Sequence, residues 1–159
     1  MADRRYQGPY PSVNFSKQVN EVAEPSTTLV FSGELTGNKI GFPIGVAKGG
    51  GEVIDTWLSV GASGKDDGDT LSVALDVKIN GTTCLTTSPA IAHVSGEASQ
   101  QKTTKVTGDT GITQAVVDPD ANDVSAGDVL TGSLTLTRTA SPTTEIANLA
   151  VVVELEPSN

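Results

Sequence analysis

A chain of 159 residues with 36% hydrophobic and only 4% aromatic side chains has room for one domain, with a core built from Val, Leu, Ile and Ala. Its formal net charge of −9 argues against general nucleic-acid binding, which needs Lys and Arg to displace counterions. A single cysteine, Cys84, excludes an internal disulfide, and no stretch approaches the roughly 18 apolar residues of a membrane helix. Seventeen glycines and many Thr and Ser suit short strands and turns, and no long run has helical periodicity.

The chain opens Met1-Ala2-Asp3-Arg4-Arg5-Tyr6, with no apolar core of a secretory signal, so synthesis in a cytoplasm without ordinary export is expected. Residues 1–25 read as an extended arm, because Pro9, Pro11 and Pro25 fix φ and remove backbone donors. Tyr6, Tyr10 and Phe15 follow neither structural period, yet they are three of the six aromatics in the chain. Disordered tails seldom carry so many. Residues 1–20 hold Arg4, Arg5 and Lys17 against Asp3, a balance of +2, which leaves −11 for the remainder. A basic arm on an acidic body can reach an acidic neighbour, including another copy of itself. It can equally be a solvated tail.

The body is expected over 26–159. Leu29, Phe31 and Leu35 share a parity and predict its first strand, with Gly33 among them. Ile40, Phe42, Ile44 and Val46 alternate with Gly41, Pro43 and Gly45, which predicts a strand with one apolar face and one bare face. Pro43 cannot donate to a ladder, so an edge strand or a bulge is expected there. The bare face suits a subunit contact or a plain bend. Gly49-Gly50-Gly51 lacks the Gly-Lys-Ser/Thr ending and following helix of a phosphate loop.

The strongest pattern runs from Val53 to Leu85. Ile54, Thr56, Leu58 and Val60 share one parity, and Leu71, Val73, Leu75, Val77 and Ile79 alternate strictly. Asn80-Gly81 then supplies a two-residue hairpin turn. A three-strand antiparallel unit is expected here, with Trp57 buried. The acidic stretches Gly64-Lys65-Asp66-Asp67-Gly68-Asp69 and Asp118-Pro119-Asp120-Ala121-Asn122-Asp123 lack the spacing of a calcium loop and read as solvated turns, so no metal site is expected.

Signals weaken from Thr82 to Val106, although Thr82 to Thr87 continues the hairpin partner, and Ile112 to Val117 then predicts another strand. His93, the only histidine, reads as structural, and Cys84 as a small buried hydrophobe, since neither has a visible polarising neighbour. Ser125-Ala126-Gly127-Asp128 introduces a strand in which Leu130, Leu134 and Leu136 point inward and Gly132 leaves a gap. Leu149, Val151, Val153 and Leu155 form the face of a final strand before Pro157. The sum is all-β: about eight antiparallel strands in a two-sheet sandwich or jelly roll. With one histidine and no carboxylate pair on a strand end, enzymatic activity and a cofactor are not expected.

Trp57 on its strand, the run Gly68-Asp69-Thr70-Leu71 to Asn80-Gly81-Thr82-Thr83-Cys84-Leu85, and the later Val124-Ser125-Ala126-Gly127-Asp128-Val129-Leu130 together resemble the jelly-roll domain of tailed-phage virion proteins. The resemblance covers about residues 40–155 and implies a structural role. Such domains serve as capsid decoration (cement) proteins, often homotrimers on the outer head surface bound to the major capsid protein, or as parts of fibres and receptor- or glycan-binding modules. It carries no catalytic residues. The expected partner contacts are Arg4, Arg5, Tyr6, Tyr10, Phe15, Phe42 and Pro43, with neither nucleic acid nor membrane as partner.

Overall fold

A computed structural model describes residues 26–66, 68, 70–139 and 143–158. The arm, with Arg4, Arg5, Tyr6, Tyr10 and Phe15, lies outside them. No helix occurs among the described residues, and all strand pairs are antiparallel. Six long strands carry the architecture: β1 (Ser26–Glu34), β2 (Lys39–Val46), β3 (Gly51–Ala62), β4 (Ser72–Ile79), β12 (Val129–Thr137) and β13 (Ala147–Pro157). The region from Thr82 to Val124 contributes seven strands of two or three residues. These are β5 (Thr82–Thr83), β6 (Leu85–Thr87), β7 (Ala90–Ala92), β8 (Lys102–Thr103), β9 (Ile112–Thr113), β10 (Val116–Val117) and β11 (Asp123–Val124).

Two sheets form a sandwich. In the first the order is β1-β13-β3, and both β8 and β11 pair with the far edge of β3. In the second the order is β2-β12-β4-β7-β9, with β5 also on β4. The small pair β6–β10 stands apart. Inward faces meet between the sheets: Leu58, Val60, Leu149, Val151 and Val153 from the first, and Val73, Leu75, Val77, Ile91, Leu130 and Leu134 from the second. Burial on one face only is what period-2 alternation prescribes. Thr56 is a buried polar residue on this face, and its hydroxyl donates to the Val152 carbonyl at 2.8 Å, which satisfies it.

The expected three-strand unit does not form. β3 lies in the first sheet and β4 in the second, and only the turn at Asn80-Gly81, with φ of 50° and 88°, makes a hairpin, joining β4 to β5. The linker between β3 and β4 is longer than hairpin loops of about two to five residues. It crosses from one sheet to the other, and Lys65 bridges Thr144 on the way. The strands therefore meet through their apolar faces, not through backbone bonds.

Two further patterns are corrected by bulges, which shift parity by one residue. In β3, Asp55 faces Glu154 but Val53 faces Leu155, so Ile54 is the extra residue and Val53 takes the core position. In β2, register slips at Ile44 and again near Gly41, so Phe42 and Ile44 turn inward while Ile40 and Val46 stand 70% and 62% exposed. The expected four-residue apolar face is thus two residues long. Pro43 sits where a proline can, on an edge strand beside a slip.

The first acidic loop is not simply solvated. Asp66 is buried, and its carboxylate accepts bonds from the Gly68 amide at 2.8 Å and from the Thr70 and Thr139 hydroxyls. These donors, the Gly68 amide foremost, hold its pKa below the ordinary carboxylate value. Asp67 and Asp69 lie outside the described residues.

Candidate partner-contact edge

Among the described residues, β1 and β2 are the outermost strands of their sheets and lie on the same side of the sandwich. Phe31 of β1 meets Phe42 of β2 edge to face, with centroids 5.0 Å apart and planes at 70°. Phe42 stands directly opposite Gly132 of β12. A Cβ on Gly132 would come within 2.4 Å of that ring, so the gap foreseen in β12 is the seat of an aromatic from the neighbouring strand. Phe42 is therefore half-buried and committed to Phe31 and Gly132, while Pro43 is exposed. The structure brings these two expected contact residues to one open edge.

β1 supplies the other half of that edge. Ser26 to Gly33 contains no charged residue, and Val30 is 66% exposed. Its register with β13 is unbroken from Ser26 to Phe31 and slips only before Glu34. There the amide of Gly33 donates to Asn148 Oδ1 at 3.0 Å. At the Ser26 end a groove of about 450 Å³ opens between the sheets, lined by Thr27, Val46, Ala47, Val124, Leu155 and Pro157 among others. Beside it Glu52, Asp123 and Glu156 line a second, acidic cleft of about 530 Å³. Among the described residues no cluster of His, Cys, Asp or Glu is arranged to hold a metal ion.

A separate polar patch lies on the outer face of the first sheet. Trp57, expected in the core, instead points outward opposite Val152. Lys105 Nζ rests 4.0 Å from the centre of its ring and donates to Asp55 at 2.7 Å and Glu154 at 3.2 Å. The bond to Asp55, then that to Glu154, raises the Lys105 pKa. Next to the patch is a cleft of about 370 Å³ whose walls include Ser59, Gly61, Thr103, Asp109 and Asn148. Sequence reasoning missed this assembly because Lys105 is 48 positions from Trp57 and sits in a weakly patterned loop.

The two residues weighed for chemistry sit elsewhere. Cys84 is buried, its Sγ lies 3.4 Å from the Val77 carbonyl, and burial pushes its pKa up to about 11, the reverse of a nucleophile. His93 is buried, with its backbone amide bonded to Leu71. No known protein family, curated protein or solved structure matches the chain.

Proposed function

We propose that the protein is a structural virion component, a capsid decoration protein that binds the outer surface of a tailed-phage head and bridges subunits of the major capsid protein. The observation that carries this reading is the open β1–β2 edge, uncharged from Ser26 to Gly33 and joined to an arm whose first 20 residues are basic and aromatic. The strand order supports a jelly-roll reading: first strand beside last, second beside penultimate, third beside last, fourth beside penultimate. The rigid body is the spacer and the arm is the hook. Arg4, Arg5, Tyr6 and Tyr10 engage the capsid, and a homotrimer multiplies weak arm contacts into firm attachment. The work is cross-linking, without catalysis, cofactor, nucleic acid or membrane, and it follows synthesis in the host cytoplasm.

Deleting residues 1–20 is expected to abolish co-sedimentation with capsids while the circular-dichroism spectrum and a cooperative thermal transition persist, since the described residues contain a continuous core of their own. Full occupancy by the truncated protein would refute the proposal. A fibre or glycan-binding module is the second reading, favoured by the outward Trp57 beside a cleft whose walls include Ser59, Thr103, Asp109 and Asn148. Trp57→Ala is the variant that discriminates: it removes glycan-array binding in the second reading and leaves capsid binding untouched in the first.

A further inference from the structure

We propose that the open edge of β1 takes, as an added antiparallel strand, the arm segment 12–20 of a second copy of the chain. The argument begins with how the other edges are protected. Among the described residues, β2 carries Pro43, Lys39 and two register slips, and the far edges end in strands of two residues, β8, β9 and β11. Those are the ordinary devices that keep a sheet from recruiting strands. β1 has such devices only at its far end, the register slip and Glu34, and none from Ser26 to Phe31. It runs straight from Ser26 to Phe31, is rich in Thr, Leu, Val and Phe, and carries no charge before Glu34. A long, apolar, unguarded edge presents a full row of backbone donors and acceptors to any extended segment of matching pattern.

One stretch of this chain has that pattern. In Ser12-Val13-Asn14-Phe15-Ser16-Lys17-Gln18-Val19-Asn20, which lies outside the described residues, Val13, Phe15 and Val19 share a parity with Lys17, and the intervening residues are all small or uncharged polar. Alternation of this kind suits a strand with one face on a core. Phe15 and Val13 then extend the inward row of Leu29 and Phe31. Lys17 adds a cation to a body that is strongly acidic.

The donor is a second copy because of the sequence joining arm to strand. Pro25 disfavours the helical region for Glu24, a sequence preference for extended backbone next to β1 rather than for a turn. No glycine occurs between Gly8 and Gly33, so the tight-turn signal of a fold-back hairpin is missing. The 14 residues from Ser12 to Pro25 reach about 46 Å when extended, past the end of the nine-residue β1. Giving the arm forward is a head-to-tail contact, which closes into a ring when the rotation permits, three copies being one such ring. Residues 1–11, with Arg4, Arg5, Tyr6 and Tyr10, remain outboard for another surface. The inference builds on the edge described above and does not depend on the capsid.

The test uses the full chain, free of capsids. Light scattering on a sizing column is expected to give a multiple of 16.3 kDa, and hydrogen exchange is expected to find protected those amides of residues 27–31 that point away from β13. The double variant Asn14→Pro/Ser16→Pro, which alters only the arm, is expected to fall to the single-chain mass and to lose that protection. Asn14→Thr/Ser16→Thr is expected to keep both. A monomeric native chain overturns the proposal, whether its edge is unprotected or covered by its own arm, and so does an oligomer indifferent to the prolines. Decoration of capsids is read separately, so its failure leaves these outcomes unaffected.

Discussion

Gly132 and Phe42 show how far a single missing side chain can govern a strand edge. With no Cβ at 132, the ring of Phe42 lies on the backbone of β12 and reaches Phe31, which ties the two open edges together. Gly132→Ala must push the ring out of a close-packed seat, and a loss of about 1–3 kcal/mol is expected in urea unfolding. Pairing it with Phe42→Leu should recover part of that loss, because contacting residues do not add. At the same scale, Asp66 and Asp128 both have pKa values held below the ordinary carboxylate value. The Gly68 amide is the first cause for Asp66, and for Asp128 it is the Ser125 amide, then the Asn80 side chain. A carboxylate depressed in the folded state stabilises above its unfolded pKa, and that contribution disappears as pH falls through the folded value. Melting temperature should therefore drop below about pH 4, and Asp66→Asn should be less stable at neutral pH with a shallower acid limb. The gap at Gly132 was legible in the alternation of β12; its occupant, 90 residues away, was not. Asp66 looked like any loop carboxylate because its partners Thr70 and Thr139 are marked by no motif.

Among the elements, the turn at Asn80-Gly81 does more than reverse the chain. The Asn80 side chain donates to Asp128 Oδ1 at 2.7 Å and accepts from the Val129 amide at 2.9 Å, and its own amide donates to the Val129 carbonyl. The Asn-Gly turn and the Ser-Ala-Gly-Asp turn are thus clamped together, and the clamp sets the register of β4 against β12, where Ile79 faces Leu130. Asn80→Ala should cost about 1 kcal/mol, modest because the bonds are exposed, and should speed amide exchange at Val129 before any other site in β12. Elements with a strict period were readable: β4, β12 and β13 occupy the positions that alternation assigns, as does the hairpin turn. β2 and β3 were readable only in part. A bulge is set by what the partner strand does, and one inserted residue at Ile54 or Ile44 exchanges inward for outward without leaving a local trace. The assignment of β3 and β4 to one sheet failed for a related reason. Apolar alternation reports which face is buried, not which neighbour supplies the hydrogen bonds.

At the level of the whole molecule, the all-β sandwich was legible from composition and turn spacing, as were the hairpin partner after Asn80-Gly81 and strand structure within residues 112–117, whereas the division of the region from Thr82 to Val124 into seven short strands was not, since two-residue pairings need only backbone geometry. The wiring has a consequence for how the molecule comes into being. β13, the last strand made, is the centre of the first sheet, flanked by β1 and β3, and β1 finds its only described ladder partner more than a hundred residues downstream. Apart from the two-residue pairings of β8 and β11 with β3, that sheet cannot close until residues 147–157 have been synthesised, and the loop joining β1 to β13 spans most of the chain. Folding is therefore expected on the millisecond-to-second scale of topologies dominated by distant pairings, and a chain ending at residue 146 should remain protease-sensitive throughout. Trp57, the sole tryptophan, faces Val152 across the β3–β13 ladder. Its fluorescence in stopped-flow refolding would time the arrival of the final strand, and until that moment the newborn chain carries its apolar edges bare, in need of dilution or a chaperone's shelter.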